Sequence, residues 1–373
     1  MHVLDNLGTG GTQIALANLI ERMDHVRFEH VLCGMRPLDT LGPNYFDMRL
    51  PQGLVRTVSL RRRTANSKTQ LTSLCRLIHE IKPDVVHSRN WSAIEGVIAG
   101  RLIRSRAIVH SEHGLDSASI EKEPWRRLIF RRLAFELADR VVCVSHQLRS
   151  IHSRRTGFPQ QKMTVIHNGV DAKRYHPNPA MRTQIQGELK ISENDFCIGC
   201  VGNLTPVKDY MTIFNAIEKV AKICTDWRLV IIGKGPELPK LQGWLSTRAE
   251  LRSRVIFLGL TERVPEILNA MDMYVLSSIT EGISNSLLEA MATSLPVAVT
   301  CTGGNPEVVG EANGLLFPVG DFSTLADHIL LLRSRTDLRL KFGTSALKRV
   351  REVFSLDTMA RGYEEVYESV LRF

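Results

Sequence analysis

The sequence predicts an α/β protein made of two doubly wound, Rossmann-like domains. Short apolar segments alternate with helical patterns along the whole chain, which is typical of parallel sheets covered by helices. At 373 residues the chain is long for one hydrophobic core and suits two. A proline-rich stretch, Tyr175–Pro179, separates two runs of these segments and is typical of a linker.

Twelve segments have the short, apolar character of buried parallel strands, six on each side of that stretch. The first six are His2–Asn6, Val31–Cys33, Val85–His87, Ala107–His110, Val141–Ser145 and Thr164–His167. The second six are Phe196–Val201, Arg228–Ile232, Val255–Leu258, Met273–Leu276, Pro296–Thr300 and Leu315–Phe317. We therefore expect an N-terminal domain over residues 1–180 and a C-terminal domain over residues 181–354.

Residues 355–373 form one amphipathic pattern. Their apolar side chains recur at helical spacing. These side chains are Leu356, Met359, Tyr363, Val366, Tyr367 and Val370. We expect a single C-terminal helix with one buried face.

The composition limits the environment of the protein. Hydrophobic residues make up 43% and charged residues 23% of the chain, which is enough for ordinary buried cores. No apolar run approaches the roughly 20 residues that a bilayer-spanning helix needs. The N-terminus lacks the basic region and the long apolar core of a signal peptide. We expect the protein in the cytoplasm or at the inner face of the membrane.

The charge is uneven along the chain. Residues 1–190 hold 29 basic and 17 acidic side chains, whereas the remainder holds 19 basic and 22 acidic ones. A basic N-terminal half indicates an anionic partner. Because no nucleic-acid recognition motif is present, a membrane surface or a phosphate-bearing substrate fits better than nucleic acid.

One predicted helix combines four arginines with several large apolar residues. The arginines are Arg126, Arg127, Arg131 and Arg132. A solvated basic face and a helix lying on anionic lipid are the two interpretations. We expect peripheral contact with an anionic membrane.

Cys197 and Cys200 form a Cys-x-x-Cys pair inside a strand pattern. Residues three apart on a strand face opposite sides. A redox pair needs a turn into a helix N-terminus, and a structural zinc site needs a second pair. Both cysteines are therefore predicted to be buried strand residues.

Residues 273–291 predict a strand, a turn at Gly282 and a helix. Glu281 precedes the helix, and Glu289 lies about two turns into it. The amides around Ile283–Asn285 would point toward a crevice at the strand end, where an anion binds well. The capping side chain would be one of Ser284, Asn285 and Ser286. This segment offers amides for phosphate and carboxylates for hydroxyl groups.

Other predicted strand ends carry glycines or cations. Gly10 and Gly11 follow the first strand, where the backbone can approach a phosphate or sugar closely; a simple tight turn is the alternative. Lys208 follows another strand, and an ammonium there can neutralise charge on a leaving diphosphate. Gly233 ends a further strand. Arg89 is interpreted either as a cation that contacts a second substrate or as a structural ion-pair residue.

In its motifs the sequence resembles the retaining glycosyltransferases of family 4, which have the GT-B fold. The motifs are Glu281-Gly282, Leu287-Leu288-Glu289-Ala290, Pro296–Val299 and Gly303–Glu307. The resemblance covers nearly the whole chain and is closest to transferases of exopolysaccharide assembly. It implies two Rossmann-like domains facing a cleft, with the C-terminal helix crossing back to the first domain.

The resemblance also implies an activity: transfer of a sugar, with retention, from a nucleotide-diphosphate sugar to a glycan or lipid-linked acceptor. UDP and GDP are the expected nucleotides, and no resident cofactor is expected. Since no Asp-x-Asp occurs in the chain, a metal bridge to the diphosphate is not expected either.

The same resemblance assigns roles to residues. Lys208, Glu281 and His113 would be catalytic, with Glu281 and His113 facing the sugar. Glu289 would bind the ribose hydroxyls. The donor contacts would come from Gly10, Gly11, Asn203, Lys208, Gly233, Leu258, Ile283, Ser284, Asn285 and Glu289. Asn203 stands where the family usually has arginine, so Lys208 would carry more of the diphosphate charge.

Two alternatives remain open. A sugar-nucleotide epimerase of the same fold would isomerise its substrate without any acceptor. A non-catalytic two-domain protein would bind a ligand without turnover, and it would leave the Glu281 and Glu289 pair without a role.

Overall fold

The computed structural model describes residues 1–36, 44–60, 67–115 and 123–372. The chain divides into two units, which we call unit 1 (Met1–Gly169 and Leu356–Phe373) and unit 2 (Val170–Ser355). The division follows Gly169, earlier than the boundary expected after residue 180.

The earlier division has a local cause in the proline-rich stretch. Pro179 lies in the first turn of a helix, and the Asn178 side chain accepts a hydrogen bond from the Met181 amide at 3.1 Å. The Asn178 amide in turn donates to Asn269 Oδ1 at 2.7 Å. The prolines therefore mark a helix start inside unit 2, which is a common position for proline, and not a linker.

Within the described part of unit 1, seven parallel strands form one sheet. They are β1 (His2–Leu4), β2 (His30–Gly34), β3 (Val55–Ser59), β4 (Val85–Arg89), β5 (Ala107–Glu112), β6 (Arg140–Cys143) and β7 (Met163–Val165). The accompanying helices are α1 (Gly11–Arg22), α2 (Tyr45–Arg49), α3 (Ser67–Ile81), α4 (Glu95–Leu102), α5 (Trp125–Leu137) and α6 (His146–Thr156).

Unit 2 contains a second parallel sheet, of six strands. They are β8 (Phe196–Val201), β9 (Trp227–Ile232), β10 (Val255–Gly259), β11 (Met273–Leu276), β12 (Val297–Thr300) and β13 (Gly314–Phe317). The helices are α7 (Pro179–Glu188), α8 (Tyr210–Ala221), α9 (Leu238–Ser246), α10 (Ala249–Arg252), α11 (Val264–Asn269), α12 (Asn285–Ala292), α13 (Asn305–Val308), α14 (Phe322–Ser334) and α15 (Thr336–Val353).

Both sheets follow the same winding. The strand order is β3-β2-β1-β4-β5-β6-β7 in unit 1 and β10-β9-β8-β11-β12-β13 in unit 2. In each sheet the winding direction reverses beside the first strand, between β1 and β4 and between β8 and β11. The crevice at the carboxyl end of such a switch point is where open α/β sheets bind ligands. The predicted doubly wound class is confirmed for each unit.

The last helix, α16 (Leu356–Leu371), belongs to unit 1. Its buried side chains are Leu356, Met359, Ala360, Tyr363, Val366, Tyr367 and Val370. They share a core cluster with Leu16 and Ile20 of α1. Burial of one such aliphatic side chain stabilises a fold by about 1.5–3 kcal/mol, so the amphipathic pattern is sufficient to attach the helix.

Strand β3 and the pair Cys197 and Cys200 can be compared with what the sequence predicted. Strand β3 was not predicted, because its Val-Arg-Thr-Val-Ser sequence is half-exposed and contains no apolar run. Cys197 and Cys200 are buried in β8, as predicted, and burial raises the pKa of both thiols.

In the described ranges, no helix has the length and apolar character needed to cross a membrane.

Candidate functional site

Lys208 and Glu281 form an ion pair at the switch point of unit 2. Lys208 ends a short 3-10 helix after β8, and Glu281 lies in the loop after β11. The Lys208 ammonium donates to Glu281 Oε1, and the Ser278 hydroxyl donates to the same oxygen at 2.7 Å. The side chains are 22% and 12% exposed, so the pair is largely sheltered but still reaches the surface. The structure thus brings two predicted site residues into contact.

Backbone contacts hold Lys208 in place. The single hydroxyl proton of Ser277 is shared between the carbonyl oxygens of Lys208 and Asp209, which lie 2.8 Å and 2.9 Å from Ser277 Oγ. The Ile279 amide donates to the Val207 carbonyl at 2.8 Å. Asp209 has a φ of +43°, a left-handed conformation that is uncommon outside glycine, asparagine and aspartate. The chain therefore bends sharply after Lys208 and is fastened to the end of β11.

Glycines allow the loops around this pair to pack closely. A Cβ atom at Gly303 would lie 1.9 Å from the Glu281 carbonyl oxygen, and one at Gly304 would lie 2.1 Å from that of Gly282. The Gly304 amide donates to the Gly282 carbonyl at 2.8 Å. A Cβ atom at Gly233 would lie 2.0 Å from the Gly202 carbonyl oxygen. These glycines therefore position the site through backbone contacts within unit 2.

Helix α12 begins at Asn285, four residues after Glu281 in the chain. Its cap is Ser284, whose hydroxyl accepts a hydrogen bond from the Leu287 amide at 3.3 Å. Ile283 and Ser284 are buried, and Asn285 is the first helical residue. The positive end of the helix dipole therefore lies at the same strand edge as Lys208, an arrangement that favours an anion.

Glu289 is buried about one turn into α12, with only 9% of its surface exposed. Burial raises the pKa of its carboxyl group to about 7, while a hydrogen bond from Tyr175 and the charge of Arg174 act in the opposite direction. Tyr175, itself buried, belongs to the first segment of unit 2. Glu289 thus has partners of its own, distinct from the Lys208–Glu281 pair.

Two predicted donor contacts lie on neighbouring strand ends. Asn203 follows β8 with an exposed side chain, and Leu258 is a half-buried residue of β10. The Gly233 amide donates to the carbonyl of Gly259 at 2.8 Å, which joins the ends of β9 and β10. All the predicted residues of unit 2 except Glu289 therefore lie at or just after the carboxyl ends of its strands.

The glycines Gly10 and Gly11 open α1 at the switch point of unit 1. Gly10 precedes the helix, and its carbonyl accepts a hydrogen bond from the Ile14 amide at 2.9 Å. A Cβ atom at Gly10 would lie 2.5 Å from Gln13 Oε1, whereas one at Gly11 would meet no atom within 4 Å. Within unit 1, Gly11 therefore faces open space.

Asn90 joins the loops that meet at this point. Its amide nitrogen Nδ2 donates to Thr12 Oγ1 at 3.2 Å, and its Oδ1 accepts from the backbone amide of His113 at 2.7 Å. Its φ of +61° is one that asparagine tolerates better than most residues. Sequence reasoning missed Asn90; an asparagine directly after a buried strand was the available signal.

His113 follows β5 and contacts Arg89 at the end of β4. Arg89 Nη1 lies 3.0 Å from His113 Nε2, and Ser111 Oγ lies 2.9 Å from the same nitrogen. Burial lowers the pKa of His113 well below its usual value, and the charge of Arg89 lowers it further. Arg89 is only 2% exposed, and in the described ranges it has no carboxylate partner. It is therefore neither an exposed acceptor cation nor an ion-pair residue.

The arginines of α5 do not form a common face. Arg131 is buried and pairs with Glu112 and with Glu123, the latter at 2.8 Å. Arg127 also pairs with Glu123, at 2.7 Å. The expectation that all four arginines face a membrane is therefore wrong for Arg131, because a buried cation requires its carboxylate partners. Of the four arginines Arg126 is the most exposed to solvent. The Arg132 side chain is 35% exposed and pairs with Glu136.

Helix α5 exposes apolar side chains instead. Four of them are between 49% and 65% exposed and recur at i, i+4, i+5 and i+8. These residues, which we call the α5 apolar face, are Trp125, Ile129, Phe130 and Leu133. Arg126 lies over the Trp125 ring at 5.4 Å. A contiguous exposed apolar face on one helix is typical of an interaction surface.

Two family models match the chain, one in each half. The model described as Glycosyltransferase Family 4 matches residues 9–174, and the model described as Glycosyl transferases group 1 matches residues 195–335. Together they include all of the predicted site residues.

Individual relatives agree with these models. The chain is 31% identical to N-acetyl-alpha-D-glucosaminyl L-malate synthase of Bacillus anthracis, over 77% of this chain and 74% of that protein. It is 29% identical to UDP-Gal:alpha-D-GlcNAc-diphosphoundecaprenol alpha-1,3-galactosyltransferase of Escherichia coli, over 70% of this chain and 69% of that protein. The crystal structure of Anabaena HepE in complex with UDP-glucose has a TM-score of 0.85 at 22% identity, covering 99% of this chain and 98% of that one.

Proposed function

The chain belongs to glycosyltransferase family 4 and has the GT-B fold, and on that premise we propose that it transfers a sugar with retention from a nucleotide-diphosphate sugar. The donor nucleotide is UDP or GDP. The acceptor is a glycan or a lipid-linked sugar, and the product enters cell-surface polysaccharide.

The observation that carries this proposal is the Lys208–Glu281 pair beside the N-terminus of α12. An ammonium and a helix N-terminus at one strand edge can together bind a diphosphate. The pair is partly exposed, so a phosphate oxygen can replace the Glu281 oxygen as a partner of Lys208. Glu281 is then available to accept hydrogen bonds from hydroxyl groups of the donor sugar.

The rest of the nucleoside diphosphate is assigned to neighbouring groups. The amides around Ile283, Ser284 and Asn285 bind phosphate oxygens, and Glu289 accepts hydrogen bonds from the ribose hydroxyls. Tyr175 holds the Glu289 carboxyl group from within unit 2. Leu258, at the end of the neighbouring strand β10, contacts the base, with Asn203 and Gly233 nearby.

In the proposed reaction no protein carboxylate attacks the sugar. The acceptor oxygen attacks the anomeric carbon from the face that the leaving group departs from, and the bond from that carbon to the phosphate oxygen breaks. The acceptor's proton passes to the departing phosphate oxygen. Lys208 and the α12 N-terminus stabilise the negative charge that grows on the diphosphate, so no metal ion is needed. His113, Gly10 and Gly11 remain proposed contacts of the donor.

The acceptor side is proposed to contact a membrane through the α5 apolar face. Trp125 and Phe130 are side chains that partition into the interfacial region of a bilayer, and Arg126 adds a cation that favours anionic lipid. The E. coli relative is named for a diphosphoundecaprenol-linked acceptor, which is a lipid-linked sugar. We therefore place the protein at the cytoplasmic face of the membrane.

Thermal unfolding with added nucleotides tests the donor class. UDP, GDP and ADP are compared at matched concentrations in the presence of EDTA. A ligand at 100 times its Kd should stabilise the protein by about 2.7 kcal/mol. We expect UDP or GDP to do so without a metal ion. Stabilisation by none of the three would overturn the donor assignment, and transfer that requires Mg²⁺ would overturn the metal-independent mechanism.

A further inference from the structure

Arg89 is a buried cation whose partners are neutral rings and hydroxyl groups. Its Nη2 lies 3.4 Å from His2 Nδ1 and 3.4 Å from His87 Nδ1. Its guanidinium lies 5.5 Å from the centre of the Tyr363 ring. The nearby carboxylate of Glu112 is already bound by Arg131 and by His110. Burial of a charge without a counter-charge costs free energy, so a buried arginine of this kind is expected to have a function that offsets the cost.

The contacts of Arg89 determine where the protons of its neighbours lie. A guanidinium can only donate hydrogen bonds, so each imidazole nitrogen that it contacts must be an acceptor. His87 Nδ1 accepts from Arg89, and His87 Nε2 therefore carries the proton. That nitrogen lies 2.9 Å from Ser111 Oγ and donates to it. The Ser111 hydroxyl then has its own proton free to donate to His113 Nε2 at 2.9 Å.

Two donors thus point at the same nitrogen of His113. Arg89 donates to Nε2 directly, and the chain from His87 through Ser111 donates to it as well. The proton of a neutral His113 must then lie on Nδ1. This atom is buried and has no hydrogen-bond partner among the described residues. A buried N–H donor with no protein partner is uncommon, and a ligand oxygen can supply the missing acceptor.

We propose that Arg89 is a positioning residue that holds His113 as a neutral imidazole with its proton on Nδ1. His113 then serves the reaction as a hydrogen-bond donor to a substrate oxygen and not as a general base. Its role toward substrate rests on the function proposed above, whereas the position of its proton does not.

The surroundings of His113 agree with a neutral ring. The charged and titratable groups around it are Arg89 and His87 on β4 and His110 and Glu112 on β5. Only Glu112 favours the protonated form, and it is engaged by Arg131. Tyr367 of α16 supports the same proton order, because its hydroxyl lies 2.7 Å from His87 Nδ1 and can donate to it.

Nitrogen NMR of the full chain with ¹⁵N-labelled histidine tests the proton position without substrate. The His113 signals are assigned by their loss in His113→Asn. We expect wild-type His113 to show a protonated Nδ1 and an unprotonated Nε2 from pH 6 to pH 7.5. In Arg89→Met the ring should titrate closer to the usual histidine pKa of about 6.5 or populate the Nε2–H form. Arg89→Lys keeps a cationic donor and should restore the wild-type pattern. A protonated Nε2 in the wild-type protein would overturn the proposal without any variant.

Transfer kinetics separate the donor role from general-base catalysis. The Asn side chain can place its N–H near the position of Nδ1, whereas the longer Gln side chain extends toward the position of Nε2. We expect His113→Asn to keep transfer within about tenfold of wild type and His113→Gln to lose at least ten times more. Equal losses in the two variants, or full loss in both, would overturn the donor role. If His113→Ala transfers as fast as wild type while the NMR pattern holds, the proposed function of His113 fails and the tautomer assignment stands.

Discussion

Each unit has a cation at the switch point of its sheet, but the two cations differ in their partners and in their exposure to solvent. In unit 2, Lys208 follows the first strand of the sheet and pairs with a carboxylate from the loop after the fourth strand. In unit 1, Arg89 ends the fourth strand and contacts histidines, and no carboxylate among the described residues pairs with it. A partly exposed ion pair can exchange one anion for another. A fully buried cation among neutral rings cannot, and it can only orient what it touches.

On the proposed function, this difference lets the same topology serve two tasks. The switch point supplies the converging loops, but burial decides what a cation there can do. Lys208 is 22% exposed and can meet an incoming phosphate. Arg89 is 2% exposed, so we expect it to act on a ligand through His113, which it contacts. The following predictions test this contrast, beginning with the largest expected effect.

The two buried arginines of unit 1 should differ in their contribution to stability. Arg131→Met leaves Glu112 as a buried carboxylate without its main cation, although Glu123 keeps Arg127, so we expect a loss of about 3–5 kcal/mol in the free energy of unfolding. Arg89→Met leaves no buried carboxylate without a partner, so its loss in the free energy of unfolding should be smaller. Urea denaturation measures both, with the exposed Arg126→Met as the control. An equal or greater loss for Arg89→Met would make Arg89 chiefly a structural residue and remove the contrast between the units.

Replacement of Lys208 by methionine should affect transfer more than folding. Loss of one preorganised charge that stabilises a leaving group lowers kcat by about 10²–10³. Steady-state transfer assays with a nucleotide sugar measure this effect, and Lys341→Met, at an exposed lysine of α15, is the matched control. A change of less than about threefold in Lys208→Met would show that the ion pair is only structural.

Glu289 should make the protein less stable as the pH rises. The pKa of its carboxyl group is about 7 in the folded protein against a usual value of 4.5, so the folded state holds an extra proton between these values. The resulting stabilisation is complete below about pH 4.5 and is lost as the pH rises to 7, by about 3 kcal/mol. In Glu289→Gln this loss is absent.

The measurement is the difference in unfolding free energy between wild type and Glu289→Gln from pH 5 to pH 7.5. The difference should shift in favour of the variant as the pH rises, because all other groups titrate alike in both proteins. Glu250→Gln, at an exposed glutamate, should leave the wild-type slope unchanged. Parallel curves for wild type and Glu289→Gln would contradict the raised pKa.

The smallest expected effect concerns the α5 apolar face. Phe130→Ser should weaken binding to vesicles containing anionic phospholipid by about tenfold, since one partly buried aromatic ring contributes roughly 1–2 kcal/mol at an interface. Vesicle sedimentation measures the bound fraction. Leu340→Ser, at an apolar residue of α15 in unit 2 that is even more exposed than Phe130, should bind like wild type. Equal loss in both variants would mean that binding is not specific to this face.

Some parts of the site could be predicted because they depend on local chemistry. The turn at Gly282, the capped start of α12 and the position of Glu281 before it follow from residue types that form strand–turn–helix units. The amphipathic pattern of residues 355–373 likewise predicted α16, since helical spacing alone shows which side chains are buried. The division after Gly169 differs from the predicted boundary after residue 180 for the complementary reason: proline marks both linkers and helix starts, and spacing does not distinguish them.

By itself the sequence determined the class of fold, the two sheets and the strand ends that carry glycines and charges. It did so because periodicity and turn residues act over a few positions of the chain. Only the tertiary structure decided the partners: Glu281 for Lys208, Tyr175 for Glu289, Glu112 for Arg131 and the histidines for Arg89. These contacts join residues that are distant in the chain. A side chain's charge, exposure and proton position depend on such neighbours and not on its place in the sequence.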